Sequence, residues 1–379
     1  MKDKEPAHLH SLDIARGIAA FAVILYHWNT LFLVGSKFPE AYRPERQPAY
    51  AFLRVFYEHG HAAVSLFFSL SGLIFFRFFA RRVASGSLRL GDFFVHRVSR
   101  LYPLHLATLL IVAAGQAVYH ARLGEFFGIA SNTPQDFVLN LFMLSSISHS
   151  TGLSFNGPSW TVSVEMLLYA IFFLYCSLTR LRMASMAVLA FVGFVFLGPL
   201  RSALGSAVGS FFLGGCLSVA YEYVTRSANR SRYSLVAILI AVILWIAAWA
   251  IPSGTFGNMD IVSPPGGGPD LATVMLFPLT ILALTLAEHE RPDPFRRLAN
   301  ATRLGPLSYS VYLLHFPLQL VVVIATTTLG ISSDWFYSPT VLIAFLAVLI
   351  GTALLSHFRF EMPVQRWLRA RFVWRGNSA

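Results

Sequence analysis

Charge is the scarcest commodity in this chain. Asp, Glu, Lys and Arg together make up 12% of its 379 residues, against about 25% in an average soluble domain. With 56% hydrophobic residues, too little polar surface is left to clothe a water-soluble globule, which excludes an ordinary soluble enzyme. Cysteine is almost missing. Cys176 and Cys216 both fall inside apolar runs, so no disulfide framework and no cysteine zinc site can be assembled. Acidic residues are outnumbered, 18 against 29 Lys and Arg. The resulting charge of +11 raises nucleic acid as a partner, and the placement of the basic residues has to decide. No convincing internal repeat is present, which weighs against a transporter built from inverted halves.

What the chain does have is a series of apolar runs. Ten are long enough to span a bilayer, at approximately 12–33, 61–80, 101–119, 160–178, 183–200, 204–223, 234–251, 271–288, 306–329 and 338–359. With the N-terminus inside, 23 of the Lys and Arg residues fall on the cytoplasmic side and 6 on the other. That split predicts both termini to be cytoplasmic. The basic excess is therefore topological, and no nucleic acid is expected. The fold expected is an all-α integral membrane protein, a bundle of about ten transmembrane helices forming a single domain over 1–379. It ends in a short basic cytoplasmic tail at 360–379, with no fused extracytoplasmic domain. Lys2 and Lys4 precede the first apolar run as they would in a signal peptide. Asp13, Arg16 and His27 interrupt that run, so it reads as an uncleaved first helix.

Those three residues are the most informative in the chain, because titratable groups inside a membrane helix demand a reason. Arg16 and His27 are eleven residues apart, so on an α-helix they differ by about 20° in direction and about 16 Å in height. They share one face, and Asp13, three residues before Arg16, can hold it. If Arg16 sits at the cytoplasmic boundary, His27 comes near mid-bilayer. Two readings of His27 follow: a catalytic base shielded from bulk water, or a buried polar group bonded to Tyr26 or Asn29 of its own helix.

Further along, an irregular outer loop at Gly35–Gly60 is placed to cover a site from outside. Ser65, Ser69, Ser71 and Gly72 give the second span a strip of small residues suited to close packing. The segment FFVHRVSRLYPLHL carries His96, Arg97 and Arg100. Arg97 and Arg100 lie on one side of a helix, either as a positive-inside anchor or as a bidentate clamp for phosphate. Phe137–Ser146 is too short to span and lies at the interface or re-enters. In SFNGPSWTVSVEMLLYAIFF, Trp160 suits the interface, which would put Glu165 about 7 Å below the outer boundary. The glycines Gly205, Gly209, Gly214 and Gly215 suggest close packing, and Pro252–Asp270 is a flexible outer loop. The ninth span opens LGPLSYSVYLLHFPLQL, with Tyr312 and His315 three apart on one face and Tyr309 and Pro317 beside them.

Taken in series, LDIARG with a histidine eleven residues after its arginine, FFSLSG, HRVSRLYP, GPSWTVSVE and LSYSVYLLHFP resemble the acyltransferase 3 family of membrane acyltransferases. The resemblance covers nearly the whole chain. It implies transfer of an acyl group, acetyl most commonly, from cytoplasmic acyl-CoA to a hydroxyl of a carbohydrate or glycosylated acceptor. Candidate acceptors are O-antigen or exopolysaccharide, and the place is the bacterial cytoplasmic (inner) membrane. No bound cofactor is expected beyond acyl-CoA as co-substrate. Carried over residue by residue, it assigns His27, Arg16 and Glu165 to catalysis. It assigns Arg97, Arg100, His96, Tyr309 and His315 to the donor. Many relatives have arginine where this chain has His96. The alternative from another class is a multi-span transporter or exporter that uses buried Arg, His and Glu as a substrate or proton path.

Overall fold

The computed structural model describes residues 8–34, 37–129, 131–147, 153–179, 181–198, 202–250, 272–302 and 304–373. Lys2, Lys4, Arg180, Arg201, Arg303, the loop Pro252–Asp270 and the last six residues lie outside the described residues. Among the described residues there is no β-strand. The first half of the chain forms α1 (His10–Trp28), α2 (Tyr50–His59), α3 (Ala63–Phe78), α4 (Ala80–Ala84), α5 (Leu90–Leu123), α6 (Pro134–Leu141) and α7 (Trp160–Leu178). The second half forms α8 (Met183–Val192), α9 (Ser202–Arg226), α10 (Arg230–Ala250), α11 (Phe277–Glu290), α12 (Pro292–Thr302), α13 (Leu304–Thr328), α14 (Pro339–Ser356) and α15 (Met362–Phe372).

Helices stand at all ten expected positions, and eight stretches among the described residues are long and apolar enough to cross a membrane. The two that fall short do so for different reasons. Met183–Leu197 is shorter. Helix α1 carries Asp13, Arg16 and His27, and it can, because it is wrapped by α2, α3, α11, α12 and α13 rather than by lipid. Val23, Leu25 and Trp28 are essentially fully buried. Its first turn has no side-chain cap of its own, and Glu288 at the end of α11 takes that role. The Glu288 carboxylate accepts from the backbone N–H of His10 at 2.8 Å and of Ser11 at 2.9 Å.

The small-residue strip of α3 packs against α9, the most extensive helix pair in the bundle. A Cβ at Gly72 would run into the Phe211 carbonyl, and one at Gly214 into the carbonyl of Ser69. The two backbones are therefore in direct contact, as expected for membrane helices held by close approach. Gly205 likewise abuts Gly193 and Gly198.

Three expected features take a different form. Within the outer loop, residues 50–59 are the helix α2, and the rest of the loop docks onto the end of α1 through Asn29. Asn29 donates to the carbonyls of Tyr26 and Tyr57 and accepts from Tyr42 Oη at 2.5 Å and from Gln47. The apolar stretch at Phe137–Ser146 begins inside α6, which is started by a Thr133–Asp136 capping box. The His105 ring donates to the Asn140 carbonyl at 2.7 Å, which ties that segment to α5. Residues 362–372 of the expected tail form α15, which packs on α5, with Arg369 donating to Ser99 Oγ at 3.2 Å and to the His96 carbonyl at 3.3 Å.

The most consequential difference concerns the start of α7. Pro317 lies inside α13 and has no N–H, so the carbonyl of Leu313 four residues earlier loses its helical partner. Asn156 supplies the missing donor, its Nδ2 reaching Leu313 O at 3.2 Å. Asn156, Gly157, Pro158 and Ser159 are buried there. Helix α7 thus begins beside the middle of α13, which places Glu165 toward the Arg16 end of the bundle.

Candidate active site

Around that end lies a cavity of about 90 Å³. Its polar wall is made by Arg16 from α1, Arg100 from α5, Glu165 from α7, and Ser308 and Tyr309 from α13. Val64, Phe67 and Phe68 from α3 form part of its apolar wall. Helical spacing alone puts none of these beside the others. The contacts of α1 and α5 with α13, and the buried start of α7, do. Arg100 is exposed and Arg16 half-buried, so positive charge runs from the surface into the cavity. Arg100, Asp13 and Glu165 are all within Coulombic reach of Arg16. Asp13, expected to hold Arg16, makes its close contact with His8 instead, at 2.7 Å. Tyr309 donates its hydroxyl to the Leu101 carbonyl at 2.6 Å, which pins α13 to α5 at the cavity wall.

Tyr312 closes the cavity on the side toward His27. Its hydroxyl donates to the Pro158 carbonyl at 3.1 Å and accepts from Thr161 Oγ1 at 3.2 Å. Beyond it are the histidines. The rings of Tyr312 and His315 are 5.9 Å apart, and those of His315 and His27 are 5.1 Å apart at 36°. Gln319, one turn further along α13, donates to the His27 carbonyl at 2.8 Å. His315 is fully buried, and its Nδ1 is 2.5 Å from the Tyr312 carbonyl. A carbonyl only accepts, so Nδ1 carries the proton, and in the neutral ring Nε2 is left as an acceptor. That Nε2 is buried with no hydrogen-bond partner among the described residues.

The sequence-derived candidates therefore separate into groups. Arg16, Arg100, Glu165 and Tyr309 share the cavity. His27 and His315 form a pair one step deeper. Arg97 sits beside the cavity wall among aromatic rings. His96 is outside the cavity, with its carbonyl taken by Arg369. Glu165, expected near the outer boundary, is at the cavity with Arg16. Of the alternative partners for His27 within its own helix, Asn29 is committed to Tyr42 and Gln47, while the Tyr26 ring packs edge-on against the His27 ring at 5.3 Å.

Three further residues escaped the sequence reading. His61, at the start of α3's turn, is within Coulombic reach of His27, and its ring is 4.9 Å from that of Tyr26. A histidine opening an apolar span was the available signal. Tyr169, which donates to Glu165, lies four residues after it on the same helix face, a spacing that could have been noticed. The Asn156 contact with Leu313 left no signal in the local sequence. Among the described residues one group could hold a metal ion, His8, His10 and Asp13, and it lies at the start of α1 outside the cavity lining.

A family model described as an acyltransferase domain matches residues 9–357. The chain belongs to the acyltransferase 3 family. Acyltransferase MdmB of Streptomyces mycarofaciens is 27% identical over 329 residues, covering 82% of each chain. Protein 2 in the picA locus of Rhizobium radiobacter is 30% identical over 114 residues, 30% of this chain and 49% of that protein. No solved structure matches. The matched region of this acyltransferase contains both the cavity and the histidine pair.

Proposed function

We propose that this membrane acyltransferase takes an acyl group, acetyl in the first instance, from acyl-CoA on the cytoplasmic side. It delivers the group to a hydroxyl of a carbohydrate or glycosylated acceptor, as in O-antigen or exopolysaccharide modification at a bacterial inner membrane. The observation that supports this reading is the graded arrangement of Arg100, Arg16, Tyr312, His315 and His27. A basic opening leads to a confined cavity, and a histidine pair stands behind its inner wall. An anionic donor suits the opening, and a thioester suits the confined cavity.

In this scheme the acceptor oxygen bonds to the thioester carbonyl carbon while His27 takes the hydroxyl proton. Arg16, about 16 Å from His27 along α1, is too far away to face the oxyanion and instead draws the anionic donor into the cavity. The carbon–sulfur bond then breaks, and the proton passes to the departing coenzyme A thiolate. The bare Nε2 of His315 is the acceptor beside His27. A small turn of the His27 ring would let this Nε2 take one N–H, which would fix the His27 tautomer and leave the other nitrogen as base. Tyr312 must turn aside for donor and acceptor to meet.

The test is to expose membranes holding the protein, or its His27→Ala form at matched expression, to labelled acetyl-CoA and host glycans. Alkali-labile label on the glycan fraction with the native protein and none with His27→Ala is expected. Equal label in both would remove His27 from the chemistry. No label from any acyl-CoA would overturn the donor assignment and favour transport.

A further inference from the structure

Arg97 and Arg100 differ in surroundings more than their spacing suggests. The guanidinium carbon of Arg97 lies 4.8 Å from the ring centre of Phe75, 4.7 Å from Phe79, 5.7 Å from Phe93 and 5.9 Å from Tyr169. The rings come from α3, its C-cap, α5 and α7, so the cage exists only when three helices are packed together. Phe75 and Tyr169 are themselves stacked, 4.7 Å apart at 12°. Arg97 Nε is buried without a hydrogen-bond partner among the described residues, and Arg97 is not part of the cavity lining. Arg100 is exposed and does line it. A guanidinium held among ring faces cannot swing to a phosphate without giving up cation–π contacts in a desolvated place. The remaining link is through Tyr169, whose hydroxyl donates to the Glu165 carboxylate on the cavity wall.

We infer that Arg97 is a positioning residue. From its aromatic cage it holds the Tyr169 ring, whose hydroxyl sets the Glu165 carboxylate at the cavity, and of the two arginines only Arg100 presents its charge to the donor. The part played by Arg100 rests on the acyl-CoA reading given above. The cage and its link to Glu165 do not.

The experiment compares Arg97→Gln, Arg97→Lys, Arg100→Gln, Tyr169→Phe and the Arg97→Gln/Tyr169→Phe double variant. Two donors are used, acetyl-CoA and acetyl-pantetheine, which lacks the nucleotide phosphates. Arg100→Gln is expected to raise KM for acetyl-CoA about tenfold and to leave KM for acetyl-pantetheine unchanged. Arg97→Gln should lower kcat about tenfold with both donors and keep KM for acetyl-CoA within about twofold. Tyr169→Phe should do the same, the double variant should fall no further than the singles, and Arg97→Lys should recover part of kcat. A rise in KM for acetyl-CoA alone in Arg97→Gln would overturn the proposal by making Arg97 a phosphate ligand. So would a double variant whose loss is the product of the single losses.

The same four chains, wild type, the two single variants and the double, are also melted in detergent without donor. Non-additive shifts in Tm are expected for Arg97 and Tyr169, and additive shifts would overturn the cage. Should neither donor be used by the wild type, the acyl-CoA reading fails and this melting cycle alone decides whether Arg97 acts through Tyr169.

Discussion

Replacing Glu288 by Ala removes the only acceptor that the described residues supply to the first two backbone amides of α1, and the cost can be worked from the contacts. The carboxylate is 4% exposed and takes N–H groups at 2.8 and 2.9 Å. Each buried amide left without a partner costs about 1–3 kcal/mol, and loss of a negative charge at a helix N-terminus adds about 0.3–1 kcal/mol. The expected loss for Glu288→Ala is therefore about 2–7 kcal/mol, large against a typical folding free energy. Glu288→Gln keeps one carbonyl oxygen but turns an NH₂ group toward the second amide, so about half that loss is expected. The assay is unfolding of the purified protein in detergent, followed by tryptophan fluorescence and by the fraction remaining monodisperse. The order wild type, Gln, Ala is the decisive feature. If both variants lie within about 0.5 kcal/mol of the native protein, the first turn of α1 is held by something other than Glu288. The capping argument then fails.

Two further predictions concern packing and the outer loop. Gly72→Ala would gain about 1 kcal/mol in helix propensity, but its Cβ would come within 2.8 Å of the Phe211 carbonyl carbon. A net loss of about 1–3 kcal/mol is expected from overpacking, seen as a lowered Tm in detergent. A raised Tm would show that α3 and α9 can move apart. Asn29→Ala should cost about 2 kcal/mol by stranding two buried carbonyls and the Tyr42 and Gln47 side chains. It should also speed trypsin cleavage after Arg46 in the loop that Asn29 anchors, and unchanged cleavage would mean that the contacts of Arg46 and Tyr337 alone hold that loop.

The helical class of this protein, the positions of its long apolar segments and its family were all legible in the order of its residues. Apolar runs and charge asymmetry are local properties that act on each helix separately. So is the eleven-residue spacing of Arg16 and His27, which puts them on one face of α1 whatever surrounds it. The lateral assembly was not legible. Glu165 reaches the Arg16 cavity because Pro317 strands the carbonyl of Leu313 and Asn156, more than 150 residues earlier, satisfies it. Nothing near Glu165 in the chain records that event. Arg97 and Arg100 look equivalent in sequence, and they part company only because Phe75, Phe79 and Tyr169 arrive from other elements to enclose one of them. His27 acquires His315 as a neighbour through the packing of α1 on α13. Hydrophobicity determined which segments could lie in a membrane. The need to satisfy every buried polar group determined how they were set against one another, and with that the site.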